Sequence, residues 1–395
     1  MAAVISQVEV HHLRVSFAEL YGSAEQVPSW VSHPAAHYQD SPRSGQESVI
    51  VRLRTPDGLD GVGESWALPA GAVTAAAVAR LCAPLLIGQD PRRIEWLWRR
   101  MFDATSRLGH LGGVYLEALA GIDIALWDLL GKLVDEPVHV LLGGPTRQSV
   151  RVYAGSVPLR STPEESAAHA QTFVDEGFRG IKVKVGRDAD HDAAHVLAIR
   201  RQVGPAVPLM LDANGGYRLT DAVRLAQLTV EADIAWFEDP LPVHDVDGLS
   251  QLRRRTGVKI AAGENEHNRY GVRDLVTAGA IDVLVPNVTR MGGITELRKV
   301  AALCEAFDVE VSPHGVGSAV QVAAALQVAA AVPNLGWYEA NRLPNPLRDE
   351  LASTPQRPYD SELAVSTAPG IGLTLDESVL DRYRVGPPMV VTADG

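Results

Sequence analysis

The chain has 395 residues, 46% of them hydrophobic and 21% charged, with a formal net charge of −12. That is too long for one ordinary core but suits a β/α barrel of about 250 residues with one smaller domain beside it. An acidic balance without a basic run disfavours nucleic acid, whose phosphates need clustered Lys and Arg. No apolar stretch reaches the ~18 residues of a membrane span.

The opening MAAVISQVEV lacks the basic start and apolar, small-residue-terminated segment of a secretory signal, so a cytoplasmic location is expected. Val4, Val8 and Val10 begin a first strand, SVIVRL (48–53) forms a second, and GVGES (61–65) follows a PDG turn. The connector 21–46, which carries Tyr21, Trp30, His33, His37 and Tyr38, is long enough to be either a lid or a disordered segment. Over 73–142 the period turns helical, and AGIDIALWDLLGKL (120–133) repeats apolar residues at helical spacing. Residues 1–145 are therefore assigned to a first domain. Cys82 and Cys304 lie far apart with no CxxC or Cys/His cluster, which points to buried thiols rather than a disulfide or zinc site.

After Gly144 short β-branched runs alternate with amphipathic helical stretches, the pattern of a parallel sheet. The runs are VRVYA (150–154), IKVKV (181–185), PLMLD (208–212), AWFE (235–238), KIAAGE (259–264), IDVLVPN (281–287), VEVSPH (309–314) and LGWYE (335–339). Eight of them predict a closed parallel β/α barrel over 146–366, with a tail, 367–395, that returns to the first domain. The apolar stretch 319–332 is broken by Gln321 and Gln327 and reads as a buried helix.

From the second run to the eighth, each ends in a polar residue: Lys184, Asp212, Glu238, Glu264, Asn287, His314 and Glu339. In a β/α barrel the C-terminal strand ends meet at one face, so residues one β/α unit apart in sequence converge in space. Asp212, Glu238 and Glu264 would repel one another if bare, and a hard divalent cation resolves the conflict. Oxygen donors alone suit Mg²⁺. A lone strand-end carboxylate more often caps the next helix, but three on successive strands favour the metal reading.

Lys182 and Lys184 alternate onto the same interior face. Neighbouring cations lower each other's pKa, which makes Lys184, nearer the mouth, the candidate base, although both could simply neutralise the carboxylates. His314 lies across the barrel and could reach the other face of a substrate. Glu339, if protonated, could donate a hydrogen bond to a developing enediolate oxygen.

These motifs together resemble the enolase superfamily and, within it, the mandelate racemase subgroup of the mandelate racemase/muconate lactonizing enzymes. The resemblance covers nearly the whole chain: GVGES, GIDIALWDLLGK, PVHVLLGG, KVK, LDANGGY, FEDP, AAGEN, PNVTRMGGIT, SPHG, WYE and GIGLTLDESVLDRY. It implies a modified barrel with an α+β capping domain formed by the N-terminal segment and the tail, the 21–46 loop covering the mouth and selecting substrate. It also implies a small-molecule carboxylate substrate and a homo-oligomer, dimer or octamer.

Carried over by motif, Asp212, Glu238 and Glu264 correspond to the Mg²⁺ ligands, Lys184 to the base, and Lys182 to its neighbour on the carboxylate. His314 corresponds to the opposite acid/base and Glu339 to the enediolate partner. Asn214 and the loop's Tyr21 are candidate substrate contacts. A Lys or His base with Mg²⁺ is a known pattern of enolase-superfamily sites. The subgroup normally pairs its His with an Asp where this chain has Asn287. An amide orients an imidazole without supplying charge, which weakens His314 as a base. Dehydration of a sugar acid to a 2-keto-3-deoxy acid tolerates that change better than two-base racemisation or epimerisation of a 2-hydroxy acid. The remaining alternative is a binding homologue without activity.

Overall fold

The computed structural model describes residues 4–31 and 43–393. Strands β1 (Gln7–Ser16), β2 (Gly45–Arg54) and β3 (Asp60–Ser65) form an antiparallel sheet with Val10 opposite Val51 and Val51 opposite Gly63. At the end of β1, Ser16 caps the short helix Phe17–Tyr21 and Glu19 returns the bond, a capping box that fixes where the strand turns away. The 21–46 connector continues through single turns at Ala24–Gln26 and Ser29–Val31, while His33, His37 and Tyr38 lie outside the described residues.

The helix Val114–Val134 contains the AGIDIALWDLLGKL run and is buried on nearly every side. It packs on β3, where a Cβ on Gly63 would stand 2.0 Å from the Gly121 carbonyl oxygen; only a glycine strand fits so close to the helix. On its other side it meets the helix Gly293–Glu305: Asp123 accepts the Thr295 N–H at 2.8 Å, and Trp127 Nε1 donates to Thr295 Oγ1 at 2.8 Å. Burial pushes the Asp123 carboxyl up to about 7 against those hydrogen bonds. Asp128, fully buried, accepts Val62 N–H and Ile371 N–H, each at 2.8 Å, and pairs with Lys132 at 2.8 Å.

The barrel strands are β4 (Ser149–Pro158), β5 (Ile181–Lys184), β6 (Leu209–Asp212), β7 (Ile234–Glu238), β8 (Ile260–Ala262), β9 (Val283–Leu284), β10 (Glu310–Val311) and β11 (Tyr338–Asn341). They run parallel in the order β10-β9-β8-β7-β6-β5-β4-β11. Val311 N–H to Asn334 O at 2.9 Å, Gly336 N–H to Val311 O at 3.0 Å and Glu339 N–H to Pro313 O at 3.1 Å join the two ends. The fold is the expected parallel β/α barrel with a capping sheet. Its last strands are shorter than the β-branched runs, so Glu264, Asn287 and His314 stand beyond β8, β9 and β10. Glu339, by contrast, lies inside β11 beside Tyr153 of β4 rather than at a strand end. The strand begins later than LGWYE suggested because Leu335 and Gly336 are spent on closing the barrel against Val311.

Tyr153, Met210, Trp236, Ala261, Val283 and Val285 form a separate apolar cluster inside the barrel. A short strand β12 (Glu362–Ala364) adds antiparallel to β4, and after the helix Glu377–Tyr383 the strand β13 (Met389–Thr392) pairs with β1. The helix Ala319–Ala331 is buried from Ala319 to Ala330, and Cys82 and Cys304 are free and buried. Among the described residues no helix is long and apolar enough to cross a membrane.

Asp128→Ala strands two buried backbone N–H groups and takes from Lys132 its closest carboxylate, so chemical denaturation should show a loss of about 3 kcal/mol of unfolding free energy. An unchanged midpoint and slope would contradict the role given to this carboxylate.

Candidate active site

Lys184, Asp212 and Glu238 are direct neighbours across β5, β6 and β7, so three charged side chains line one rim of the barrel mouth. Lys182, two residues before Lys184 and therefore on the same face, is completely buried below them. Its Nζ lies 2.5 Å from Glu238 Oε1, 3.2 Å from Glu339 Oε2 and 3.3 Å from Asp212 Oδ2. The Tyr153 ring lies beneath it at 5.7 Å. Burial by itself would lower the Lys182 pKa, but Glu238, Glu339, Tyr153 and Asp212 reverse that and hold the ammonium well above the usual lysine range. The expected mutual lowering of the two lysines is thus not what Lys182 experiences, because three carboxylates outweigh one neighbouring cation.

Lys184 stands nearer the mouth and half-buried, with Nζ 2.5 Å from Asp212 Oδ2 and 2.8 Å from Asn214 Oδ1. Asn214 adopts a left-handed backbone (φ 41°) that a short amide side chain tolerates, and it turns back to donate to Glu264 Oε1 at 2.9 Å. One amide therefore ties the candidate base to the third carboxylate. Glu238 is fully buried and accepts from Trp236 Nε1 at 3.2 Å. Burial pushes its carboxyl up to about 8 despite Lys182, with Asp212, Glu339 and Glu264 adding to the rise.

Across the barrel His314 is buried, its Nε2 3.0 Å from Glu264 Oε2 and 3.6 Å from Glu339 Oε2. The closer contact is an electrostatic one without hydrogen-bond alignment, since Glu264 Oε2 has no hydrogen-bond partner. Its Nδ1 lies 3.1 Å from Asn287 Nδ2. Burial lowers the imidazole pKa, with Glu264 and Glu339 opposing it. Glu339 is fully buried; burial would raise its carboxyl, but Lys182, His314 and Lys184 bring it below the usual range. Glu339 Oε2 accepts from Lys182 Nζ at 3.2 Å, while Oε1 is buried without a hydrogen-bond partner. Tyr21, at the end of its helix, is half-buried; burial raises its phenol and the charge it senses is Arg160, just after β4.

In this arrangement Lys182 and Lys184 carry the countercharge of Asp212 and Glu238. Among the described residues no three acidic or imidazole groups are gathered at a ready coordination point. The donor set nevertheless fits a hard divalent ion: Asp212, Glu238 and Glu264 offer oxygen alone. Glu264 Oε2 is buried without a hydrogen-bond partner.

Four residues beside the motifs escaped the sequence reading. Trp66, directly after GVGES, brings its ring to 6.2 Å from His314, and Arg290 of PNVTR stacks over Trp66 at 4.9 Å. Arg290 also donates to Asn265 Oδ1 at 2.8 Å, and Asn265 Nδ2 approaches Asp239 Oδ2 at 3.4 Å. Asp239 is a further buried carboxyl, pushed well up by burial and by Glu264, Asp212 and Glu238. Their only sequence signal is adjacency to residues already singled out.

Residues 25–143 match the family described as mandelate racemase / muconate lactonizing enzyme, N-terminal domain, and residues 165–379 match enolase C-terminal domain-like proteins. The chain is 34% identical to D-galactarolactone cycloisomerase of Agrobacterium fabrum over 351 residues, covering 86% of this chain and 92% of that one. It is 31% identical to arabinonate dehydratase of Saccharolobus solfataricus over 341 residues, covering 86% and 91%. A crystal structure of a racemase from Streptomyces coelicolor A3(2) with bound magnesium superposes with a TM-score of 0.85 at 31% identity, covering 97% of this chain and 100% of that one. With its capping sheet, closed barrel and acid–lysine mouth, the chain belongs to the mandelate racemase/muconate lactonizing enzyme family of the enolase superfamily, a family of lyases and isomerases.

Proposed function

We propose that this chain is a Mg²⁺-dependent enzyme that removes the proton α to the carboxylate of a sugar acid and eliminates the β-hydroxyl, giving a 2-keto-3-deoxy acid. The observation that carries the reading is the row Lys184, Asp212, Glu238 in register, with Lys182 buried beneath it and His314 on the opposite wall. A proton α to a carboxylate is a very weak acid, so positive charge must already stand where negative charge develops. Lys182 is fixed there by three carboxylates and moves little when substrate arrives. Asp212, Glu238 and Glu264 would hold Mg²⁺, whose Lewis acidity adds to that charge.

Lys184 is placed to take the α-proton. It sits at the mouth, and Asn214 holds its Nζ on the Asp212 side until substrate enters. Glu339 serves by keeping Lys182 charged and positioned. His314 faces the substrate from the other wall, beside Trp66, where it meets the departing hydroxyl. Similarity to arabinonate dehydratase supports the elimination of water from a sugar acid. Similarity to D-galactarolactone cycloisomerase favours a second reading in which the same α-proton is lost but a ring oxygen leaves and stays attached, so that product and substrate have equal mass. Racemisation or epimerisation would require a base on both faces, which the amide partner of His314 does not favour.

A stereochemically complete panel of sugar acids and their lactones, incubated with Mg²⁺ and read for 2-keto acid and product mass, should yield a keto acid lighter by one water. A product of unchanged mass selects the ring-opening reading, and α-deuterium uptake without keto acid selects epimerisation. Chelation should abolish turnover, and added Mg²⁺ should restore it. Lys184→Ala should lower kcat by ~1,000-fold while carboxylate binding, followed by calorimetry, stays within a few-fold of wild type. Retention of most activity would remove Lys184 from the role of base.

A further inference from the structure

The hydrogen bonds around Asn287 determine where the proton of His314 sits. Asn287 Oδ1 accepts the Thr289 backbone N–H at 2.9 Å and the Thr289 hydroxyl at 2.7 Å. A backbone N–H can only donate, so that end of the amide is the oxygen. The other end faces the Val316 carbonyl at 2.9 Å, and a carbonyl can only accept, so it is the NH₂. Both ends of the amide are thus fixed by main-chain groups on opposite sides, and the orientation does not depend on the histidine. The second hydrogen of Nδ2 points to His314 Nδ1 at 3.1 Å. Nδ1 must offer its lone pair to it, since a proton there would set two donors head to head. The ring proton is then on Nε2, which has no aligned acceptor among the described residues.

We propose that Asn287 is a positioning residue that locks His314 as the Nε2–H tautomer, making His314 a hydrogen-bond donor to the substrate and leaving proton transfer to Lys184 alone. This rests on the reading of the site as a carbon-acid enzyme. In the Nε2–H form the ring nitrogen facing substrate already holds a proton, so it cannot accept the α-proton. Giving that proton away would leave an imidazolate. The α C–H bond breaks and its proton passes to Lys184 Nζ. The β C–O bond breaks with its electron pair on the opposite face, where His314 Nε2–H is hydrogen-bonded to the departing oxygen; that oxygen takes its second proton from solvent water, and the Lys184 ammonium gives one proton back to solvent, which closes the balance. The enol left behind moves its hydroxyl proton to C3 through solvent. An aspartate at 287, the usual residue of the subgroup, would do the reverse: it would accept from Nδ1–H and free the Nε2 lone pair to act as a base. Here the Val316 carbonyl would oppose a carboxylate oxygen, so the surrounding main chain is built for the amide.

Long-range proton–nitrogen correlation spectra of the full chain, with and without Mg²⁺, read the tautomer directly, and His314→Gln identifies the signals. One ring nitrogen unprotonated at Nδ1 and one protonated at Nε2 is the expected pattern; a proton on Nδ1, alone or with Nε2, overturns the proposal. Independently, Lys184→Ala should form keto acid from an acid that wild type turns over at least ~100-fold more slowly than wild type, the lower bound for losing a general base. Keto-acid formation by that variant within ~10-fold of wild type would put the base elsewhere and also overturn the proposal. If wild type turns over no acid at all, the proposed function fails while the spectra still decide the tautomer.

Discussion

The site depends on one buried ammonium group. Lys182 is wholly removed from solvent, and an ion taken out of water is tolerated only when its partners are close and well aimed. Here they come from three different strands, Asp212 on β6, Glu238 on β7 and Glu339 on β11. That arrangement exists only when the barrel is closed with the observed register, because a one-residue slip would turn each of these side chains to the outer face. The apolar cluster of Tyr153, Met210 and Trp236 forms the floor below and keeps the local dielectric low. Site charge and barrel closure are therefore one problem with one solution: the buried cation cross-links the strands that build the mouth.

The capping sheet contributes directly to the opposite wall. Trp66, which leaves β3, donates its backbone N–H to Thr289 O at 3.1 Å, and Thr289 in turn holds Asn287. Glu64, two residues before Trp66, accepts from the Ser318 and Gln321 backbone N–H groups at the start of the helix Ala319–Ala331, just after the loop that carries His314. The N-terminus of a helix welcomes a carboxylate because its first N–H groups lack partners of their own. So the GVGES strand places a tryptophan against the histidine and a carboxylate against the helix that follows it. Displacing the cap would disturb the His314 wall before it reached the lysines.

Much of this was legible in the sequence, and the parts that were not share a cause. Period-2 alternation in IKVKV put both lysines on one face, and the spacing of β/α units brought Asp212, Glu238, Glu264 and His314 to one mouth. These are backbone-periodic features, and periodicity survives in a linear string. The partners of Glu339, the direction of the Lys182 shift and the positions of Trp66 and Arg290 depend instead on which side chains meet across strands. Glu339 reads in isolation as one strand-end carboxylate among several, and only the fold brings its Oε2 to 3.2 Å from Lys182. The strand ends were overextended for a related reason: Glu264, Asn287 and His314 leave the ladder so that their side chains can turn inward, and β-branched composition does not register that departure.

The substitution of Asn287 for the usual aspartate looked, in sequence, like a loss of charge and a weaker histidine. In three dimensions it is a change of hydrogen-bond polarity. The Thr289 N–H and Val316 carbonyl fix the amide from both sides, and the imidazole must answer it as an acceptor. The two walls of the barrel are then unlike in kind. The β5 wall carries Lys184 at the mouth above the fixed ammonium of Lys182, and the wall beyond β9 and β10 carries an imidazole whose orientation Asn287 sets. Reactions that require equivalent bases on both faces of a planar intermediate do not suit such a site. The proposed elimination does, because it asks one wall to take a proton and the other only to bind the oxygen that leaves.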